Sequence, residues 1–549
     1  MRASLLIGAL AAVMTLGACA SAPTPSDPQT AVVVRPSAGP VEGVREGEIA
    51  AFKGIPYAQP PVGERRWRAP EALPAWTEVR AARDFGPACV QPTPGAPSIY
   101  SQDLGRTSED CLSLNVWTPS TTGRAPVFVW IHGGSLVAGS SKEPLYDGAR
   151  LAAEGVVVVS INYRLGVLGY FAHPALSAEA DGVSGNYGLL DQIEALRWVR
   201  RNIAAFGGDP DRVTIAGESA GGLSVLYLMT SPEARGLFSR TVAQSAYMVS
   251  LPELKRGRHG FISAEASGQA LAGALGASSL ATLRGMDAQI LTDAAAVNRF
   301  YATGVVDGRV LTDQMVAVFD RGEQAPVPVL AGFNSGEIRS LRMLAPAVPA
   351  DAARYEASIR AQYGDLADDF LRLYPSSDMG ESILATTRDA LYGWTAERLA
   401  RAQTQLGQPA WLYLFDHGYA AADQAGLHAF HAAELPYMFG TTERTPPRWP
   451  AIPETPEEAL LSRQMVAYWA AFARGEAPAA PDAPLWPAYG ADQAYLAFRE
   501  TPGVERDLAP GMYELHDRAV CRRRVAGDQG WNWNAGLWSP VLRPGEGCD

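Results

Sequence analysis

The sequence predicts an α/β protein built on a large, mostly parallel central sheet with helices covering both faces. Three observations lead there. Apolar, β-favouring runs recur at 125–134, 155–166, 212–219, 240–246, 327–334 and 409–416, and they are nearly continuous in hydrophobicity, as strands are when both sheet faces are buried. Between two of them, Leu189, Ile193, Leu196, Val199, Ile203 and Phe206 fall near helical spacing, and Gly207–Gly208 supplies a stop. Strand followed by helix followed by strand then favours parallel pairing through crossovers.

The 549-residue chain opens with Arg2 and the apolar run LLIGALAAVMTL (5–16), too short to span a bilayer comfortably. The tetrapeptide LGAC, Leu16 to Cys19, resembles the lipobox of bacterial lipoproteins, in which the cysteine is lipidated and becomes the mature N-terminus. Residues 1–19 are therefore expected to be an export signal ending at a lipidated Cys19; an ordinary signal peptide cut nearby is the alternative. The Pro-, Ser- and Thr-rich residues after Cys19 read as a flexible tether over 20–40, and 41–549 as one domain. The stretches 250–310 and 345–405 read as helical insertions over the sheet. Export to the periplasm, or secretion, is expected, with membrane attachment only through the N-terminal lipid.

With 47% apolar and 19% charged residues, the composition supports a sizeable core. A net charge of −12 and a pI near 5.2 argue against a nucleic-acid partner. In an oxidising compartment Cys89, Cys111, Cys521 and Cys548 suggest two bridges with three possible connectivities. Cys89–Cys111 and Cys521–Cys548 are expected because each closes a short loop. No CxxC pair or histidine cluster accompanies them, so no metal is expected there.

The chemistry-bearing stretch is VTIAGESAGG (213–222). Here a strand pattern runs into a helix pattern through Gly217, Ser219 and Gly221, the setting in which G-x-S-x-G forms a turn that exposes its serine. Such a serine needs a base, and seven histidines are available, at 132, 173, 259, 417, 428, 431 and 516. EDCLSLNVW (109–117), VWIHGG (129–134), NYRLGVLGYF (162–171), residues 185–222, AFHAAELPYMFG (429–440) and YWAAFARGEAP (468–478) stand in consistent order. Together they resemble the type-B carboxylesterase family, the carboxylesterase and cholinesterase branch of the α/β-hydrolases.

That resemblance implies an α/β-hydrolase fold whose helical insertions form a gorge, and a serine hydrolase cleaving carboxylic esters of small molecules, a chemistry that requires no metal or organic cofactor. It implies Ser219 as nucleophile, His431 as general base and Glu337, in GFNSGEIRS (332–340), as the acid that orients the imidazole. Oxyanion donors are expected from Gly133, Gly134, Ser135 and Ala220. Ser135 stands where the family normally has a third glycine, which implies an altered substrate shape. Cys89–Cys111 corresponds to the family's disulfide loop near the gorge mouth, whereas the loop between Cys521 and Cys548, with three tryptophans, has no counterpart. His428 is expected to face elsewhere, Glu434 to be a structural acceptor, and Glu218 to bond to the surrounding core or a buried water. A catalytically silent binding or adhesion protein, and an amide, carbamate or lactone hydrolase, are the competing functions. Nothing in the sequence sets an oligomeric state.

Overall fold

The computed structural model describes residues 30–548. The lipidation site expected at Cys19 lies outside them. Its strands are, in chain order, Thr30–Val34 (β1), Val41–Glu46 (β2), Ile49–Pro56 (β3), Arg80–Ala81 (β4), Ala88–Cys89 (β5), Thr107–Ser108 (β6), Ser113–Thr118 (β7) and Ala125–Ile131 (β8). They continue with Val157–Ile161 (β9), Gly208–Glu218 (β10), Arg240–Gln244 (β11), Val329–Asn334 (β12), Ala410–Phe415 (β13), Ala494–Phe498 (β14) and Gly503–Arg506 (β15). Thirteen of these form one sheet, ordered β1-β2-β3-β7-β9-β8-β10-β11-β12-β13-β14-β15 with β4 beside β2. From β9 to β14 every neighbour is parallel, while the β1-β2-β3-β7-β9 flank and the β14–β15 edge are antiparallel.

All six strands expected from the apolar runs are present, as β8 to β13. Their hydrophobicity is continuous because two cores exist. Val127, Val129 and Ile131 of β8 enter one core, and Phe128 and Trp130 enter the other. The first face is covered by the helix Tyr187–Asn202 through Leu189, Ile193, Leu196 and Val199, and by the helix Ala220–Thr230. The second is covered by the helix Pro456–Arg474 through Leu461, Met465, Tyr468, Trp469 and Phe472. Burying one such large side chain contributes about 1.5–3 kcal/mol.

The expected helix ends at Asn202, and a 3₁₀ turn, Ile203–Phe206, carries the chain to Gly207 at φ +77°. A side chain on Gly207 would strike the Ser120 carbonyl oxygen at 2.0 Å, so the stop is enforced sterically as well as by backbone preference. The insertions are helical, with Ala264–Ala274 and Ala288–Val297 in one, and Ala352–Tyr363, Met379–Arg388 and Trp394–Gln405 in the other.

One expected boundary is corrected. The sheet begins at Thr30, inside the stretch 20–40 expected as a tether, because the alternating residues Val32 and Val34 pair with Gly43 and Val41 of β2. Both expected bridges are present: Cys89–Cys111 with Cα atoms 5.0 Å apart, and Cys521–Cys548 with 5.6 Å. Among the described residues no helix is long and apolar enough to cross a membrane, and no cluster of metal-ligating side chains occurs.

Candidate active site

The candidate residues converge at the carboxyl ends of the parallel strands, where open α/β sheets bind their ligands. Ser219 follows β10 directly, at φ 56° and ψ −121°, a conformation that costs a non-glycine residue energy. The tight turn explains its glycines. A Cβ on Gly217 would lie 2.4 Å from the Gly221 backbone, and one on Gly221 would lie 2.0 Å from the Ile131 carbonyl oxygen of β8. Strand and helix therefore touch backbone to backbone, and Ser219 is carried at the corner between them. Its amide donates to Gln244 O of β11 at 3.0 Å.

Next to β10, the β8 strand runs into His132, Gly133 and Gly134. Gly133 packs against the elbow, since a Cβ there would lie 3.3 Å from that of Ser219. Gly134 takes φ +98° and accepts from the amides of Val137 and Ala138 at 3.0 and 2.9 Å. Ser135 is exposed and held at φ +56°. Ala220 opens its helix, so its N–H has no intrahelical acceptor and sits at the positive end of the helix dipole. Gly133, Gly134, Ser135 and Ala220 thus lie on two backbone segments flanking Ser219.

Glu337 lies three residues beyond β12 and is completely buried. Its Oε1 accepts from Ser245 Oγ at 2.6 Å and from the Asn334 amide at 2.9 Å, and its Oε2 is hydrogen-bonded to His431 Nδ1. The segment bearing His431 is fastened to the Glu337 turn: Gly336 N donates to Ala429 O at 2.8 Å, and Asn334 Nδ2 to Phe430 O at 2.8 Å. Glu434 is a structural acceptor as expected, taking bonds from Gln244 Nε2 at 3.0 Å and Asn334 Nδ2 at 2.6 Å. His428 faces away, bound to Asp423 and Asp416 at 2.9 and 3.3 Å.

Two contacts differ from expectation or went unforeseen. Glu218 meets the imidazole rather than the surrounding core, its Oε1 lying 3.0 Å from His431 Nε2. That approach is too oblique to count as a hydrogen bond, and Oε1 has no other partner among the described residues. In this state no hydrogen bond joins Ser219 Oγ to His431 among the described residues; such bonds in an unliganded site are often long and tighten with substrate. Tyr100, inside the Cys89–Cys111 loop, places its hydroxyl 2.9 Å from the His431 carbonyl and 2.7 Å from Ser340 Oγ. Ser245 and Tyr100 escaped sequence reasoning; a serine at the carboxyl end of a buried strand run was the one available signal for the former.

Burial and charge compete strongly here. Desolvation drives His431 towards its neutral form, but the carboxylates of Glu218 and Glu337 outweigh it and raise the imidazole above its ordinary pKa. Burial also raises the Glu218 carboxyl, with the His431 cation opposing it. Burial pushes Glu143 up to about 7 and holds His132 down at about 4, so His132 stays neutral. It stacks on Tyr163, at 4.6 Å between ring centroids, as a structural residue.

The model of the carboxylesterase family matches residues 29–515. The chain belongs to the carboxylesterase family. It is 37% identical over 520 residues to a fumonisin B1 esterase of Sphingopyxis macrogoltabida, covering 91% of this chain and 92% of that protein. With a para-nitrobenzyl esterase of Bacillus subtilis (strain 168) identity is 36%, covering 83% and 92%. A solved PNB esterase superposes with a TM-score of 0.76 at 34% identity, covering 88% of this chain and 99% of that one. This carboxylesterase is accordingly an α/β-hydrolase and a carboxylic ester hydrolase.

Proposed function

We propose that this carboxylesterase hydrolyses its ester through an acyl-enzyme on Ser219, with His431 as general base and Glu337 as the orienting acid. The observation carrying this reading is the Ser219 elbow standing at the same, carboxyl end of the parallel strands as the buried Glu337–His431 pair. Ser219 Oγ attacks the carbonyl carbon while its proton passes to His431 Nε2. The carbonyl oxygen becomes anionic facing the amides of Gly134, Ser135 and Ala220, with Gly133 keeping that loop against the elbow; losing one such donor costs about 2.7–4 kcal/mol of barrier. The C–O bond to the alcohol breaks and the alcohol leaves with the proton from Nε2. Water then attacks the acyl-enzyme, gives its proton to Nε2, and releases the acid and free Ser219. Glu337 stabilises the imidazolium throughout, and no metal or organic cofactor enters.

The substrate class is a carboxylic ester of a small molecule. The relatives named for fumonisin B1, para-nitrobenzyl and cocaine esters make those three compounds the first to assay. Export suits the two disulfides, with Cys19 as the lipid anchor; mass analysis of the mature N-terminus tests the anchor.

The deciding experiment compares wild type with Ser219→Ala on p-nitrophenyl esters of rising acyl length. Turnover falls by at least about three orders of magnitude in the variant, and quenched wild-type enzyme gains the acyl mass on the peptide containing Ser219. Undiminished turnover in the variant removes the nucleophile assignment. Absence of turnover in wild type on every ester favours the silent binding protein.

A further inference from the structure

The loop between Cys521 and Cys548 begins beyond residue 515, where the match to the family ends. It carries Trp531, Trp533 and Trp538, and each has a different environment. Trp538 is exposed. Trp531 is fully buried, donates its indole N–H to Met248 O at 2.9 Å, and meets the His259 ring edge-on at 5.1 Å. Together with the bond from His259 N to Gly527 O at 2.9 Å, it clamps the loop onto the segment that follows β11. From inside, Arg523 ties the loop together through Asn534 and Ser539.

The clamp delivers Trp533, which is half-buried, against Tyr247, with ring centroids 5.6 Å apart and edge-on. Tyr247 meets Tyr392 at 6.0 Å, and Tyr392 meets the imidazole of His431 at 5.5 Å. Tyr392 belongs to a π-helical turn, Asp389–Gly393, a distortion frequent at functional sites. A row of ring contacts therefore links the imidazole, through the buried Tyr392 and Tyr247, to the half-buried Trp533. The row starts at the imidazole and ends on a ring that solvent partly reaches. Aromatic surface leading to a few polar groups is how small-molecule sites are lined.

We propose that this row is one wall of the substrate path, and that Trp533, supplied by the C-terminal disulfide loop, is a specificity-determining residue. It contacts an aromatic or similarly bulky apolar group of the ester through ring–ring packing. Substrate choice is then set partly by a segment outside the family domain. The inference rests on the reading of Ser219 and His431 as the reacting pair.

The test uses full-length enzyme and two ester pairs. p-Nitrophenyl acetate against p-nitrophenyl 3-phenylpropionate places the extra ring on the acyl side, and ethyl acetate against benzyl acetate places it on the alcohol side. Trp533→Ala lowers the aromatic-to-small ratio of kcat/KM at least about fivefold in one pair, chiefly through KM. Trp533→Phe gives a smaller shift in the same pair, and Trp538→Ala leaves both ratios at the wild-type value. Ratios within twofold of wild type in both pairs, or equal losses on all four esters, overturn the proposal. If Trp533→Ala does not accumulate as folded protein, Trp533→Leu against Trp533→Phe makes the same comparison. Failure of the nucleophile assignment is read separately, from turnover by Ser219→Ala.

Discussion

Glu218 Oε1 stands 3.0 Å from Nε2 of His431, the nitrogen proposed to receive the serine proton, while Glu337 holds Nδ1 on the opposite side of the ring. Both carboxylates favour the imidazolium, and the base is useful only when neutral. Activity therefore rises with pH as the imidazole, whose pKa is raised, loses its proton. Glu218→Gln removes one negative charge, lowers that pKa, and moves the rising limb of kcat/KM to lower pH. Each unit of movement corresponds to about 1.36 kcal/mol of lost charge interaction. A profile from pH 5.5 to 9.5 checks it, and an unmoved limb excludes the coupling.

The Ser245 hydroxyl, 2.6 Å from Glu337 Oε1, satisfies a fully buried carboxylate. Ser245→Ala leaves that oxygen with the Asn334 amide alone. A hydrogen bond to a charged group contributes about 1.5–3 kcal/mol. Because Glu337 is proposed to stabilise a cation that forms during reaction, kcat falls at least about tenfold while KM stays within twofold. Steady-state kinetics on one soluble ester suffice to see the split; a change confined to KM contradicts it.

The parallel centre of the sheet was legible because β8 to β13 are buried on both faces and leave continuous apolar runs. The antiparallel flank was not. β1 is largely exposed along its length, and β7 hides polar residues within a buried strand, Asn115 bonding Ser141 and Ser160 at 3.1 and 3.0 Å. The site divides in the same way. Ser219 announces itself through flanking glycines, and His431 and Glu337 through family motifs. Ser245 and Tyr100 act through partners 92 and 331 residues away, a separation over which local sequence carries no signal.

Ser135 occupies a left-handed conformation, φ +56°, that glycine adopts freely. Ser135→Gly relieves strain of about 1 kcal/mol and removes an exposed side chain from the loop proposed to supply oxyanion amides. Melting temperature rises slightly, and kcat/KM for esters branched next to the carbonyl rises relative to linear esters. A panel of acetate, isobutyrate and pivalate esters reads this. An identical profile in variant and wild type rules out a steric role for Ser135.

The Tyr100 hydroxyl makes the Cys89–Cys111 loop a structural neighbour of His431, the proposed base, since it binds the His431 carbonyl from a chain segment closed by the disulfide. Tyr100→Phe deletes that contact and lowers kcat by about threefold to tenfold, the worth of one hydrogen bond of roughly 1 kcal/mol. Opening the loop with the paired Cys89→Ser and Cys111→Ser changes frees the same segment. It lowers stability by roughly 3 kcal/mol through unfolded-chain entropy and reduces kcat by a similar factor. If loop and tyrosine act through one contact, the triple variant loses no more activity than the disulfide variant alone, because coupled changes do not add. Fully multiplicative losses mean that the disulfide and Tyr100 influence His431 independently.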